Sequence, residues 1–212
     1  AFSHMARHGQ LKAARSSKEI TLGRREIMID GDLAFLEVGL PQFHALTGDQ
    51  LTRLLEAVQA TPEDLIGEPM LVSTGPGLAG VMLPLRGEAQ VARIRPDLDA
   101  IYRLTEEMEA IMVYAFSPET RGEGRIAGAR MFAPFFGIDE EAATGMAAGM
   151  LAPYLYEILG VKKDVMVIEQ GHLMPEPSPS RLEVRLNITD GRVIGCFVGG
   201  AALPVRSMSV AV

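Results

Sequence analysis

The sequence predicts an α+β fold in which a mostly antiparallel sheet surrounds a buried helix. Short apolar segments separated by turn dipeptides predict the strands. Two segments with apolar residues on one helical face predict amphipathic helices, and a third, apolar nearly all round, predicts a helix buried on every side. Strands both precede and follow this third helix, which indicates a sheet curled around it.

The first predicted hairpin comprises residues 25–30 and 33–38. These segments flank Asp30-Gly31, a dipeptide that tolerates the positive φ angles of a tight turn. A helix follows, because Thr47 and Gln50 have the spacing of a capping box. Its buried face is predicted from residues spaced i, i+3, i+4 and i+7, namely Leu51, Leu54, Leu55 and Val58.

The middle of the chain predicts two strands, at 70–74 and 80–85, around a Gly-Pro-Gly turn at 75–77. A second helical face follows Pro96 and is formed by Leu98, Ile101, Tyr102 and Thr105. Residues 111–116 are apolar without interruption, which is typical of a buried strand.

A second hairpin is predicted near the C-terminus. Apolar and polar residues alternate along 182–188, and Asp190-Gly191 turns the chain into a strand at 193–198. Such alternation predicts a sheet with one face against the core and the other towards solvent.

The predicted buried helix extends over 144–159. Between Met146 and Leu159 its only charged residue is Glu157, so no face is suited to solvent. Pro153 predicts a kink, and Gly160 is placed to end the helix.

The segment 139–145 supports two interpretations. Its three acids, Asp139, Glu140 and Glu141, together with the hydroxyl of Thr144, are typical of an ordinary helix start. The same residues, followed by a glycine that permits close backbone approach, also describe a cradle for a carboxylate with an adjacent acid/base group.

Composition excludes several classes of function. The chain has 212 residues and a formal net charge of −7, which argues against a nucleic-acid partner. No apolar stretch reaches the ~20 residues of a membrane helix, so no membrane partner is expected. The single cysteine indicates a reducing, cytoplasmic compartment without structural metal, and since metal-ligand spacings and nucleotide loops are absent from the sequence, no cofactor is expected.

Three further residues receive structural interpretations. His44 and His172 are predicted to lie in loops, and His172 is expected to be solvated, although its place beside Gln170-Gly171 could turn it towards a cleft. Cys196 lies in an apolar strand and is expected to be a small core residue.

Several motifs resemble one known family. RMFAP at 130–134, GI at 137–138 and EEAATGMA at 140–147 resemble the R-x-F-A-P, G-I and E-D-P-A-T-G-S-A signature of the phenazine biosynthesis PhzF-like family. Further similarity comes from VSTG at 72–75, QG at 170–171 and PS at 177–178. The resemblance extends from about residue 20 to the C-terminus.

This resemblance implies a diaminopimelate epimerase-like fold, with two lobes, each a curled sheet around a central helix, and the site in the cleft between them. It divides the chain into the remainder of an N-terminal lobe at 1–62, a complete second lobe at 63–199 with its central helix at 144–159, and a C-terminal strand segment at 200–212. Within 1–62, about the first ten residues have the character of an affinity-tag remnant and do not contribute to the predicted fold.

Enzymes of this family are typically homodimeric, cofactor-free isomerases that move a proton on a small carboxylated substrate. The resemblance implies that Glu141, at the family's Asp position, is an acid/base residue. It also implies a substrate-binding group, formed by Thr144, Gly145, Met146, Gln170 and Gly171.

The chain departs from the family pattern at several positions. Glu141 replaces Asp, Met146 replaces Ser, and Glu176 replaces the Arg that follows the Gln-Gly loop. The family's N-terminal acid/base Glu and its Gly-His motif are not found, which implies that the chain begins after them. Because catalysis is sensitive to the position of the reacting groups, two functions stay open: a PhzF-like isomerase, or a catalytically impaired relative that acts as a dimeric binding or scaffold protein.

Overall fold

The computed structural model describes residues 2–11, 13–21, 23–201 and 208. Its strands are β1 (Arg15–Ile20), β2 (Gly23–Asp30), β3 (Leu33–Val38), β4 (Gln42–Ala45), β5 (Met70–Gly75), β6 (Leu78–Pro84), β7 (Met112–Ser117), β8 (Ala127–Ala133), β9 (Ile138–Glu141), β10 (Val165–Gln170), β11 (Ser180–Thr189) and β12 (Arg192–Ala201). Its helices are α1 (Phe2–Arg7), α2 (Gly48–Val58), α3 (Glu88–Ala92), α4 (Leu98–Glu107) and α5 (Gly145–Glu157), with single 3₁₀ turns at Pro62–Asp64 and Pro134–Phe136. The α+β class is therefore confirmed.

The strands of the described residues form one large mixed sheet. Their order is β1-β2-β3-β12-β11-β10-β8-β7-β6-β5-β4, and β9 pairs with β8 beside this path. Neighbours are antiparallel except for two parallel pairs, β6 with β7 and β8 with β10. The expectation of separate curled sheets was wrong, because β3 pairs with β12 and thereby joins the N-terminal strands to the rest.

Both predicted hairpins are confirmed. Strands β2 and β3 pair from Ile27↔Leu36 to Asp30↔Leu33, with Gly31 at φ +58° in the turn. Strands β11 and β12 pair across a turn in which Asp190 and Gly191 both have positive φ, as a tight two-residue turn requires.

Helices α2 and α4 cover one side of the sheet. The predicted capping box of α2 is present: Gln50 N–H donates to Thr47 Oγ1 at 3.2 Å, and Thr47 N–H donates to Gln50 Oε1 at 3.0 Å. Buried residues from α2 and α4 pack with those of the sheet in one cluster that includes Leu54, Val58, Ile101, Leu104 and Val113. On α4, Tyr102 is 37% exposed, so it lies at the edge of the predicted face.

Helix α5 lies on the other side of the sheet. Ten of its residues, Ala147 to Tyr156, are buried, which confirms the prediction from its nearly uniform apolar composition. It contacts β5, β6, β11 and β12, and Pro153 lies within it. Since α5 and α2/α4 cover opposite sides, β7 is buried at every residue, as expected of an uninterrupted apolar strand.

The predicted N-terminal and C-terminal segments are both described in part. Helix α1 lies within the segment left out of the sequence interpretation, and Arg7 forms an ion pair with Asp32 at 3.3 Å. Of the predicted C-terminal segment 200–212, Gly200 and Ala201 belong to β12, and the remainder lies outside the described residues except residue 208. The division at 62/63 and the two lobes stay predictions.

Within the described ranges, no helix is long and apolar enough to cross a membrane.

Candidate functional site

The acidic segment before α5 forms a strand and does not begin the helix. Asp139, Glu140 and Glu141 belong to β9, which pairs with β8, and α5 begins at Gly145 with Thr144 as its N-cap. The Thr144 hydroxyl makes no capping hydrogen bond to the helix. The simple helix-start interpretation of the three acids was therefore wrong, and their side chains are free for other contacts.

Glu141, Thr144 and Gln170 meet at the beginning of α5. The Thr144 hydroxyl donates to Glu141 Oε2 at 2.5 Å. The Gln170 amide nitrogen donates to the Glu141 carbonyl at 2.6 Å and to Thr144 Oγ1 at 3.0 Å. Its amide oxygen accepts a hydrogen bond from Thr144 N–H at 3.2 Å. Gln170 thus fixes both the backbone that carries the Glu141 carboxylate and the residue that contacts this carboxylate.

A buried tyrosine holds the Gln170 amide from the core. The Tyr114 hydroxyl donates to Gln170 Oε1 at 2.9 Å, and both residues are fully buried. Burial raises the pKa of Tyr114, so its hydroxyl stays protonated and remains a donor. No pattern in the sequence indicates this role, because Tyr114 lies within an uninterrupted apolar strand.

Gly171 occupies a position that requires glycine. Its φ is +83°, and a Cβ there would lie 2.2 Å from the Ser178 carbonyl oxygen and 2.8 Å from that of Ala142. The Ala142 carbonyl also accepts a hydrogen bond from Ser180 Oγ at 2.8 Å. The backbone after β10 therefore packs directly against the segment that joins β9 to α5.

The remaining predicted site residues lie at the first turn of α5. Gly145 faces Val198 of β12, whose side-chain carbons would lie 3.7 and 3.8 Å from an added Cβ. Met146 is partly buried and packs against the core cluster around α5. The structure thus places all six predicted residues around the start of α5, while their roles stay predictions.

Beside this network, Arg130 and Glu140 form a buried ion pair. Arg130 Nε and Nη2 each donate to a different Glu140 oxygen at 2.7 Å, and the two side chains are 5% and 10% exposed. Arg130 Nη1 also donates to the carbonyl of Ile94 at 3.1 Å. The pair anchors β9 to β8 and to the segment after α3.

A cleft of about 750 Å³ lies next to this ion pair. Its lining includes Arg130, Asp139 and Glu140, together with Leu173 and Met174. Glu141 is not among the lining residues, and its carboxylate instead contacts the Thr144 hydroxyl. The cleft and the Glu141 network are therefore formed by different side chains.

Both histidines differ from their predictions. His44 lies in strand β4, where it is exposed, rather than in a loop. His172 is buried, with its side chain 7% exposed, and does not face solvent. Its Nε2 lies 3.3 Å from Glu88 Oε2 and 3.6 Å from Glu169 Oε1. His172 lies in the turn after β10, so its predicted loop position is confirmed, but the expectation that it is solvated was wrong, because its ring lies against Glu88 of α3 and Glu169 of β10. Cys196, in contrast, is fully buried as predicted, and burial raises the pKa of its thiol to about 12.

Glu88 is expected to make stability depend on pH in the acidic range. Hydrogen bonds from the Arg121 guanidinium lower the pKa of Glu88 below its ordinary 4.5. The unfolded chain therefore binds the proton more readily, so this contribution is complete above about pH 5 and is lost as the pH falls below that value. Urea denaturation at pH 7 and pH 4 should show a smaller pH dependence for Glu88→Gln than for the unmodified chain. An equal dependence in both proteins would contradict this assignment.

Comparison with known proteins shows one family. Residues 5–207 match the model of the PhzC-PhzF family, described as phenazine biosynthesis-like proteins. An "uncharacterized isomerase" of Deinococcus radiodurans is 35% identical over 140 residues, which cover 64% of this chain and 44% of the relative. The "uncharacterized isomerase YddE" of Escherichia coli O157:H7 is 29% identical over 180 residues, which cover 82% of this chain and 59% of the relative. The chain thus spans about half the length of these relatives.

Solved structures agree with this relation. A PhzF-family phenazine biosynthesis protein of Bacillus anthracis superposes with a TM-score of 0.81 at 19% identity, covering 100% of this chain and 73% of that chain. A structure described as a predicted epimerase, from Pseudomonas aeruginosa, gives a TM-score of 0.67 at 26% identity and covers 96% of this chain and 71% of that one. With a family match over nearly its whole length and the same fold, this chain belongs to the phenazine biosynthesis-like PhzC-PhzF family.

Proposed function

We propose that this chain carries one part of the active site of a cofactor-independent isomerase, which moves a proton on a small carboxylated substrate. The observation that supports this most directly is the position of the Glu141 carboxylate. It lies within hydrogen-bond distance of the Thr144 hydroxyl at the start of a buried helix, on a backbone held by Gln170. A carboxylate in a fixed position beside a cluster of donors is suited to accept and return a proton.

In this proposal, the start of α5 binds the substrate carboxylate. The first N–H groups of a helix lack partners within the helix, and the helix dipole places partial positive charge there. Gly145 allows close approach of a ligand, while Met146 offers only its backbone N–H where the family has a hydroxyl. Glu141 would then face the bound substrate as acid or base, with Gln170 and Gly171 holding the surrounding backbone.

The relatives support the class of reaction. Those compared above carry names that describe isomerases, and the chain matches 44% and 59% of their lengths. The substrate, the mechanism and a cytoplasmic location are parts of this proposal. The alternative, a dimeric binding protein without activity, is favoured by the presence of Glu141 and Met146 in place of the family's Asp and Ser.

Solvent deuterium exchange tests the isomerase proposal. The chain is incubated in D₂O, without added cofactor, with a panel of small carboxylates that have an acidic C–H bond, and deuterium incorporation is followed by proton NMR. We expect exchange at the acidic carbon of at least one substrate class, above the rate in buffer. A panel that binds to the protein but never exchanges would favour the binding-protein alternative.

We also propose that the chain forms a homodimer. Among the described strands, β1 and β4 are the ends of the sheet and each pairs on one side only. Phe135 and Phe136 are 42% and 59% exposed and contact each other in an edge-to-face arrangement. Unpaired edges and exposed aromatic groups are commonly covered by a partner. Sedimentation velocity at micromolar concentration should give the mass of two chains, and a single monomeric species would contradict the proposal.

A further inference from the structure

Three side chains meet on the face of β10 opposite to the Glu141 network. Glu88 is the first residue of α3, Glu169 lies in β10, and His172 follows two residues after the end of β10. Glu169 is 1% exposed and His172 7% exposed at their side chains. The proposed reaction makes no use of this group, so its burial needs another explanation.

Both carboxylates already have cationic partners. Glu169 accepts hydrogen bonds from Arg121 N–H at 2.6 Å and Gly122 N–H at 3.2 Å, and it forms an ion pair with Arg125. Glu88 receives two hydrogen bonds from the Arg121 guanidinium, both at 2.9 Å. Two acids and two arginines leave the group without net negative charge. This balance disfavours a divalent cation, although the three ligand atoms lie within 4.8 Å of one another.

The imidazole of His172 therefore acts as a donor. An ionised carboxylate only accepts hydrogen bonds, so the proton of the ring must be on Nε2, which faces Glu88 and Glu169. Nδ1 is buried and has no hydrogen-bond partner in the described structure.

The segment from 169 to 172 connects this group to the Glu141 network. Gln170 and Glu169 point to opposite faces of β10. Their side-chain contacts therefore hold the C-terminal end of this strand on both of its faces. Between them and His172, Gly171 packs against Ala142 and Ser178, and its carbonyl accepts a hydrogen bond from Ser178 N–H at 2.9 Å. A displacement of His172 would move Gly171, and with it the Gln170 amide.

We propose that His172 is a positioning residue that holds Gln170, and through it Glu141 and Thr144, by donating a hydrogen bond to Glu88, with the Glu169 carboxylate 3.6 Å away. Any effect of His172 on catalysis depends on the proposed function. The structural effect does not depend on that function: without the His172 donor, the hydrogen bond from Thr144 N–H to Gln170 Oε1 opens more often.

Amide hydrogen exchange measured by NMR tests this directly and needs no substrate. His172→Phe keeps a ring but removes the donor, whereas His172→Gln keeps an amide donor at a similar reach. The exposed His44 of β4 provides the matched control, His44→Phe. We expect His172→Phe to accelerate exchange of the Thr144 amide about tenfold and to shift the Gln170 side-chain amide signals. His172→Gln should recover most of the difference, and His44→Phe should show none.

Four outcomes would overturn the proposal. Unchanged Thr144 exchange in His172→Phe would show that the Gln170 network does not depend on His172. Equal acceleration of all slowly exchanging amides, with no recovery in His172→Gln, would show a general structural role. Stoichiometric binding of Zn²⁺ that is lost in His172→Phe would show a metal site. If His172→Phe does not fold, Glu88→Met removes the acceptor of the same contact. Unchanged Thr144 exchange in that variant would also overturn the proposal. Amide exchange is measured without substrate, so a negative result for His172 would not contradict the isomerase proposal. Conversely, loss of the isomerase proposal would not contradict the structural role of His172.

Discussion

Glu141→Gln is expected to lower the rate of substrate deuterium exchange by about 10²-fold or more, the usual cost of losing a general acid/base group. The Thr144 hydroxyl donates a hydrogen bond to Glu141 Oε2 at 2.5 Å. Glutamine preserves the length of the side chain and an oxygen that can accept the same hydrogen bond. The backbone bond from Gln170 to the Glu141 carbonyl is also unaffected. The substitution therefore removes proton transfer while it leaves the surrounding geometry in place.

The neighbouring acid provides the control. Asp139 lies on the same strand, β9, and is exposed, so Asp139→Asn should leave the exchange rate unchanged. Glu141→Asp, which restores the family's residue, should retain measurable exchange. Exchange that continues undiminished in Glu141→Gln would remove Glu141 from the mechanism. Carboxylate binding without exchange in any of these proteins would instead favour the binding-protein alternative.

Arg130→Met is expected to destabilise the chain by about 3–5 kcal/mol, the range for breaking a buried ion pair by removal of one partner. Methionine preserves much of the aliphatic length, but Glu140, 10% exposed, would be left without its cation. The carbonyls of Val91 and Ile94 would lose their donor as well. The free energy of unfolding from urea titrations at pH 7 measures the effect.

A second variant separates the lost charge from lost packing. Arg130→Met combined with Glu140→Met leaves no unpaired charge, so this double variant should recover a large part of the stability. The exposed pair of Arg53 and Glu107, at 2.8 Å, is the control, and Arg53→Met should change stability little because solvent screens that pair. Destabilisation by Arg130→Met no larger than that by Arg53→Met would contradict the assignment.

The site was predictable in part because its residues are close in sequence. Glu141, Thr144, Gly145 and Met146 lie within six positions, so their common location follows from one short segment. Their secondary structure was not predictable from composition, since three acids before an apolar helix fit a first helical turn as well as a strand. The three acids form a strand because β9 pairs with β8, and this pairing depends on residues outside the segment itself.

Other parts of the site depend on contacts between distant residues. Tyr114 and Gln170 are 56 positions apart, and His172 and Glu88 are 84 apart. No local pattern indicates that a tyrosine of an apolar strand donates to a glutamine, or that a histidine after a strand is enclosed by a short helix. Burial of His172 could not be foreseen, because it depends on contacts between the turn after β10 and Glu88, which is 84 positions away in the sequence.

The sequence by itself determined the local elements, including the capping box at Thr47, both hairpin turns and the burial of α5, because these follow from dihedral preferences and apolar periodicity within a few residues. Only the tertiary structure decided that the strands form one mixed sheet, since β3 pairs with β12 across more than 150 residues. It also decided that Glu140 pairs with Arg130 while Glu141 reaches Thr144. Adjacent strand residues face opposite sides, and only the pairing register determines which side each one faces.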